Sequence, residues 1–387
     1  MDRGPLLSLM APGADSRSVG AVPAHPWRIP LFVALRDIRF ARGRFALMGA
    51  VVTLITMLVA FLYGLTGGLA ADASSAVARL PAASIVFGSP QGTALEVSFS
   101  NSSIGPAQLT AWQSAPGIGT VAPLGIAMSR LTSQDTAASV SVLGTGAALL
   151  PPLVSGRAPA EGQVAVGAKT ARADRITVGS RVTVGAQTLT VSGITADRSY
   201  GHAASVWTTE PTWQRVSGAT APSALAVQPG SADTAALDRA RNTRTVSRGG
   251  ALAGIDGYSA EQSSLRMIQG FLFVVSALVV GAFFTVWTVQ RGTDIAVLKA
   301  VGASSGYLVR DALAQALVLL LGGTLTGAAV GVAGGALLSG GGLPFALSGA
   351  TVAVPVLAMV ALGLAGAGLA VRRITSVDPL TALGASR

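Results

Sequence analysis

The 387-residue chain has no cysteine, two histidines, two lysines and few charged residues of any kind. Each shortage excludes something. Without cysteine there is no disulfide framework and no thiol chemistry. His25 and His202 show no pattern of paired ligands, so neither a metal site nor a Ser/His/Asp arrangement can be assembled from their spacing. Charged residues are 11% of the chain, where about 25% is ordinary for a soluble domain. The sequence is instead 50% hydrophobic, with a mean hydropathy of +0.59. Embedding in a membrane fits that composition better than a soluble globule does.

Three stretches contain no Asp, Glu, Lys or Arg: Phe45–Ala71, Met267–Gln290 and Ala312–Val371. Ser339–Gly349 (SGGGLPFALSG) breaks the third in two. About 20 apolar residues cross the hydrocarbon core. The pattern therefore predicts an α-helical membrane protein with four transmembrane helices and an α+β domain inserted between the first and second. The first run is longer than the roughly 7–15 apolar residues of a signal peptide, and it reads as an uncleaved anchor.

The formal net charge is +10 and the isoelectric point about 11.2, which raises nucleic-acid binding as a possibility. The distribution argues against it. The insert Asp72–Arg266 is nearly balanced, with 14 Lys and Arg against 11 Asp and Glu. The excess lies beside the spans: Arg36, Arg39, Arg42 and Arg44 before the first, Arg291, Lys299 and Arg310 after the second, Arg372 and Arg373 after the fourth. Basic residues concentrate on cytoplasmic flanks. Both termini and the loop after the second span are thus expected inside a bacterial cytoplasmic membrane, and the insert outside it. Topology explains the charge, and no nucleic-acid partner is expected.

On this reading the chain divides into a disordered tail (1–26), a cytoplasmic amphipathic helix (27–44), a first span (45–71) and an extracytoplasmic domain (72–266). A second span (267–290), a cytoplasmic loop (291–311), a third span (312–338), an outer turn (339–349), a fourth span (350–371) and a cytoplasmic tail (372–387) follow. In the amphipathic helix Leu31, Leu35 and Ile38 share one face. Within the insert, Asp72–Leu150 is rich in Ser, Ala and Gly, with short apolar runs. Short alternating runs at 163–166, 176–178, 181–184 and 188–191, with Gly179 and Gly185 as turns, predict a small β-rich lobe. Ala235–Arg248 suggests a helix leading back towards the second span.

Two further patterns concern function. Gly323, Gly327, Gly331 and Gly335 repeat every fourth residue, a flat stripe on which another helix can pack closely. It serves either packing against the second or fourth span or a dimer seam. The loop reads RGTDIAVLKAVGASSGYLVR from Arg291 to Arg310. Asp294 near the start of a short helix and Lys299 near its end suit the helix dipole, and Gly302 suits the stop. By spacing alone such an element is either a plain connector or a lever that passes a push into the spans.

The segment RGTDIAVLKAVGASSGYLVRDAL resembles the signature of FtsX-like, MacB-type ABC-transporter permeases at Arg291, Asp294, Ile295, Ala296, Leu298, Lys299, Gly302 and Ala303. Leu35–Phe45 resembles the inner-surface helix of the haem-exporter and DevC-like branches. Arg372-Arg373-Ile374 with Asp378-Pro379 and Ala382-Leu383 is similar to the family's C-terminal tail, and Gly156–Ile194 to the core of its outer domain. Residues 72–150 carry no clear match.

The resemblance implies a permease that is not itself an enzyme, forms a homodimer and binds a separate cytoplasmic ATPase. Arg291, Asp294, Ile295, Leu298, Lys299 and Gly302 would form the coupling helix. ATP and Mg would be held by the partner, with no cofactor on this chain. A nucleotide loop is indeed hard to find: Gly162–Thr170 has one residue too many before Lys169 for a Walker A motif. The implied activity is export of a substrate from the membrane or its outer side. The alternative is a non-transporting permease that controls a cell-wall hydrolase or sensor kinase. Tyr63 and Met267, near the outer ends of the first two spans, are of types that ligate haem iron, and equally of types that pack or anchor at interfaces.

Overall fold

The computed structural model describes residues 42–89, 94–134, 136–290, 292–339, 343–346 and 348–375. The tail and most of the amphipathic helix expected before residue 42 lie outside these, as do Arg291 and residues 376–387. In chain order, α1 (Arg42–Ala78) leads to β1 (Ser84–Gly88), α2 (Pro106–Gln113), β2 (Val121–Ser133), β3 (Thr136–Thr145), β4 (Leu153–Gly156), β5 (Gln163–Gly167) and α3 (Ala168–Ala173). Next come β6 (Arg181–Val184), β7 (Gln187–Thr195), β8 (Ser199–Tyr200), β9 (Ala203–Thr208), α4 (Glu210–Ser217), β10 (Ala224–Val227), α5 (Thr234–Arg241) and β11 (Thr243–Ser247). Helices α6 (Tyr258–Gln290), α7 (Gly292–Ala300), α8 (Ser305–Ser339) and α9 (Gly349–Thr375) complete the chain.

Four stretches are long and apolar enough to cross a membrane: Phe45–Ala78, Tyr258–Gln290, Ser305–Ser339 and Val352–Val371. In hydrocarbon every backbone group must be satisfied within the segment, which favours helix. Three of the helices are much longer than a bilayer needs, α8 with 35 residues among them; in α1 and α6 the surplus reaches the domain. Helix α1 has 37 residues and α6 has 33, lengths of roughly 55 and 50 Å at 1.5 Å per residue, against a core of about 30 Å. Asp72 ends the apolar run but not the helix. Ala, Ser and Val carry it on to Ala78, and Pro81 bars further helix.

The domain is one continuous sheet with two parts. Strands β2, β3, β9, β5, β7 and β6 pair in that order, and β6 pairs back on β2 through Leu131–Val184 and Thr132–Thr183. This ring is a six-stranded barrel, which leaves no open edge along those pairings. Val140, Val142, Val164, Val166, Val182, Val191 and Val206 fill it. The other part extends from β2 through β10, β1 and β11. Its residues alternate between two faces, as a strand requires. Val86, Leu225 and Val227 pack with Trp112 of α2 on one face. Ile85, Phe87, Ala224 and Ala226 face the other, where they meet Ala76 and Val77 of α1 and Leu80 just after it. The stalk helix is therefore part of the domain core.

Two expectations within the insert need correction. Residues 176–178 are not a strand. Ile176 N–H donates to the Ala171 carbonyl at 2.8 Å, closing α3, and Gly179 N–H reaches Val191 O at 2.8 Å. The helix expected over 235–248 stops at Arg241, where Asn242 turns left-handed at φ +49°. Thr243–Ser247 then pairs with β1. The β-branched Thr243, Thr245 and Val246 favour extended backbone, and the Asp238 carboxylate holds the turn by accepting from Thr243 Oγ1 at 2.7 Å and Thr245 N at 2.8 Å.

Candidate functional site

The glycine stripe of α8 packs on α1, not on the second or fourth span. All four glycines are buried. A Cβ at Gly323 would lie 2.8 Å from Val52 Cγ1, one at Gly331 would lie 3.0 Å from Met57 O, and one at Gly327 would fall on the Thr53 carbonyl. The partner face of α1 is itself small and flat, with Gly49, Val52, Thr53, Thr56 and Ala60. Because this contact is within one chain, the stripe is not free to form a seam between copies. Gly322, one residue off the stripe, is exposed and has nothing near its Cβ position.

At the domain end of the seam residues 343–346, in the turn between α8 and α9, fold back into the groove. The Phe345 ring fills a notch that exists only because Gly64 and Gly335 lack side chains. It tilts against Phe61 with ring centroids 5.5 Å apart, and Ala346 N–H donates to Gly64 O at 2.9 Å. Helices α1, α8 and the turn thus form one packed unit. Helices α6 and α9 join it through Val280, Phe284, Trp287, Met359 and Ala367, which share a core with Met48, Val52 and Leu320.

The two stalks are tied together by a residue that sequence spacing left without partners. His202 sits in a left-handed turn at φ +61° between β8 and β9. Its Nδ1 lies 3.4 Å from Asp72 of α1 and its Nε2 lies 3.0 Å from Glu261 of α6. Neighbouring contacts share the load. Ser199 N–H donates to Ser75 Oγ at 2.8 Å and Gly201 N–H to Ala73 O at 2.9 Å. Further down, Gln269 Nε2 of α6 donates to Thr66 Oγ1 of α1 at 2.7 Å. Partners separated by 59 and 130 residues leave no local pattern for a sequence reading to find.

At the opposite end of α6 lies α7. Its terminus is a Schellman closure: Ala303 N–H donates to Leu298 O at 2.9 Å and Gly302 N–H to Lys299 O at 3.0 Å. Gly302 takes φ +102°, a conformation that glycine adopts at little cost. Helix α8 starts three residues later, so α7 is joined closely to a spanning helix at each end. The side chains of residues 293–296, including Asp294 and Ile295, lie outside the described set. Beyond them the loop shows apolar surface. Val297 is 58% exposed, Leu298 42% and Val301 84%.

Of the two haem-ligand candidates, Tyr63 is half-buried and meets Phe273 of α6 edge to face, at 5.9 Å between centroids. Met267 faces outward and is 60% exposed. No group of three or more metal-ligating side chains occurs among the described residues.

Four apolar helices with an α/β domain between the first and second define a multi-pass membrane protein. The family comparisons agree over most of the chain. Residues 45–244 match the MacB-like periplasmic core domain and residues 266–379 the FtsX-like permease C-terminal region. The chain belongs to the FtsX-like, MacB-type family of ABC-transporter permeases. It is 26% identical over 356 residues to a protein of Staphylococcus haemolyticus carrying the name hemin transport system permease protein HrtB, covering 91% of this chain and 99% of that one. It is also 26% identical over 366 residues to the uncharacterized ABC transporter permease Rv2563 of Mycobacterium tuberculosis, covering 92% and 99%. Among solved structures, the periplasmic region of MacB from Actinobacillus actinomycetemcomitans aligns over 46% of this chain and 94% of its own, at 12% identity and a TM-score of 0.35.

Proposed function

We propose that this chain is the membrane-spanning subunit of an exporter, and that it works as a homodimer with a separate cytoplasmic ATPase. The basic residues at 42–44, 291–310 and 372–373 support an orientation with both termini and α7 inside and the domain outside. The observation that carries the reading is the unbroken course of α6 from the α7 loop to the domain. A push received at α7 acts on a helix of about 50 Å whose far end is tied to α1 and the domain by His202. The exposed Val297, Leu298 and Val301 give the ATPase an apolar contact. Such patches on a monomer commonly mark interaction sites.

The test is the double variant L298D/V301D, reconstituted with the partner ATPase. Two buried interface anchors are each worth about 1–2 kcal/mol or more. Stimulation of ATP hydrolysis by the permease should therefore fall at least about tenfold. Full stimulation by a correctly inserted variant would rule out this docking site. Hemin, named for the staphylococcal relative, is the first substrate to try, with Tyr63 and Met267 as candidate contacts. A second reading, in which the domain drives an outer partner without transport, draws on the edge strand β4. Its Leu153 and Val154 are 43% and 65% exposed and offer such a partner a surface.

A further inference from the structure

A crevice of about 390 Å³ opens where α1, the barrel and the α8–α9 turn meet. Its floor is apolar and its roof is cationic. Gly68 of α1 with Pro344 and Phe345 of the turn make the floor, continuous with the spanning helices. Arg79, Lys169 and Arg198 line the upper part. Gly68 of α1 and Arg79, just past its end, are separated by roughly 16 Å of helix rise, a distance that would reach from the edge of a hydrocarbon core through a headgroup layer.

The charges in the crevice are unevenly matched. Among the described residues none of the three cations forms an ion pair with a carboxylate. Two acids also line the space, so the cations outnumber them three to two. Asp72 pairs with His202, and Asp197 Oδ1 accepts from the Lys169 backbone N–H at 2.7 Å. Arg198 turns one N–H onto the Asp197 carbonyl at 2.7 Å, and its other guanidinium donors are open among the described residues. Burial first, and then the like charge of Arg79, hold the Arg198 guanidinium below its ordinary range, with Asp197 opposing both. A bound anion would relieve that repulsion. Arginine forks match phosphate oxygens in two-point contacts, and lysine adds a point charge.

We propose that this crevice binds the phosphate of an anionic membrane lipid, with the acyl end towards Phe345 and the headgroup between Arg79, Lys169 and Arg198. An amphiphile with its anion at the polar–apolar boundary satisfies both surfaces at once. The lipid would wedge against α1 where α1 leaves the membrane and would set how freely the stalk moves. The placement in the outer leaflet rests on the orientation proposed above. The binding itself does not, and it is measured without the ATPase.

The test is native mass spectrometry of the full chain in neutral detergent with phosphatidylglycerol, phosphatidylcholine or glycerol 3-phosphate added. Phosphatidylglycerol should bind, and R79Q/R198Q should weaken it by at least about tenfold, the loss expected for a charge-assisted contact. Lys169→Gln, at an exposed position, should lower affinity severalfold if the double variant does not fold. Arg181→Gln, also exposed but outside the crevice, should change nothing. Equal retention of phosphatidylcholine, equal binding of glycerol 3-phosphate, or the same loss in Arg181→Gln as in Lys169→Gln would overturn the proposal.

Discussion

Replacing Gly327 by Leu is expected to separate α1 from α8 and leave a chain that no longer behaves as a single species in detergent. Overpacking a tight core costs about 1–3 kcal/mol where side chains can yield. Here the obstacle is the Thr53 carbonyl, part of a helical backbone, with Thr56 Cβ 2.9 Å from the same point. The cost should therefore reach or pass the top of that range. Thermal unfolding followed by size-exclusion chromatography measures it. Gly322→Leu is the internal control. It adds the same bulk to the same helix, one that is exposed at that position and has no atom near the new Cβ, and it should unfold like the parent. If both variants behave alike, the seam does not hold α1 to α8.

The second large effect concerns the stalk. Ala71→Pro should kink α1 where it leaves the membrane, since an interior proline removes a backbone hydrogen bond and clashes with the preceding turn, at about 3 kcal/mol. The loop end would be untouched. ATP hydrolysis should still respond to the permease, while export falls at least about tenfold, because a lost coupling of 1.4 kcal/mol is already that large. Export is read as cellular resistance to hemin or to whichever compound proves to be the substrate. A variant that couples and exports normally would show that a continuous α1 is not needed to move the domain.

The sequence made the spans legible because hydrocarbon imposes one rule on every residue in them. Uncharged runs at 45–71, 267–290 and 312–371 mark where water is absent, and nothing else in the fold is so strictly signalled. The stalks were not legible. Asp72, Ser74 and Ser75 end the apolar run, yet the helix continues because Ala76 and Val77 are covered by the domain's own sheet. Half of that cover, Ala224 and Ala226, comes from more than a hundred positions away. The barrel was visible only in part. Strands β5, β6 and β7 announced themselves by alternation, but β2 and β3 at 121–145 carry glycine and serine in place of a clean pattern. Their hairpin is fixed by pairing instead. The glycine stripe was plain, and its partner was not. Spacing specifies a flat face, and only the small residues Gly49, Thr53 and Ala60 on α1 decide which helix lies on it. His202 shows the same limit at the candidate site, since two carboxylates reach it from opposite ends of the insert.

One measurement addresses the central claim, that nucleotide acting at α7 moves the domain through α1 and α6. The chain has no cysteine, so Ser139→Cys at the exposed start of β3 places a single spin label on each domain of the proposed homodimer. Pulsed electron-electron resonance on the reconstituted complex should give one distance distribution without nucleotide and a clearly displaced one with ATP. A distribution that stays unchanged while the partner hydrolyses ATP would contradict the account.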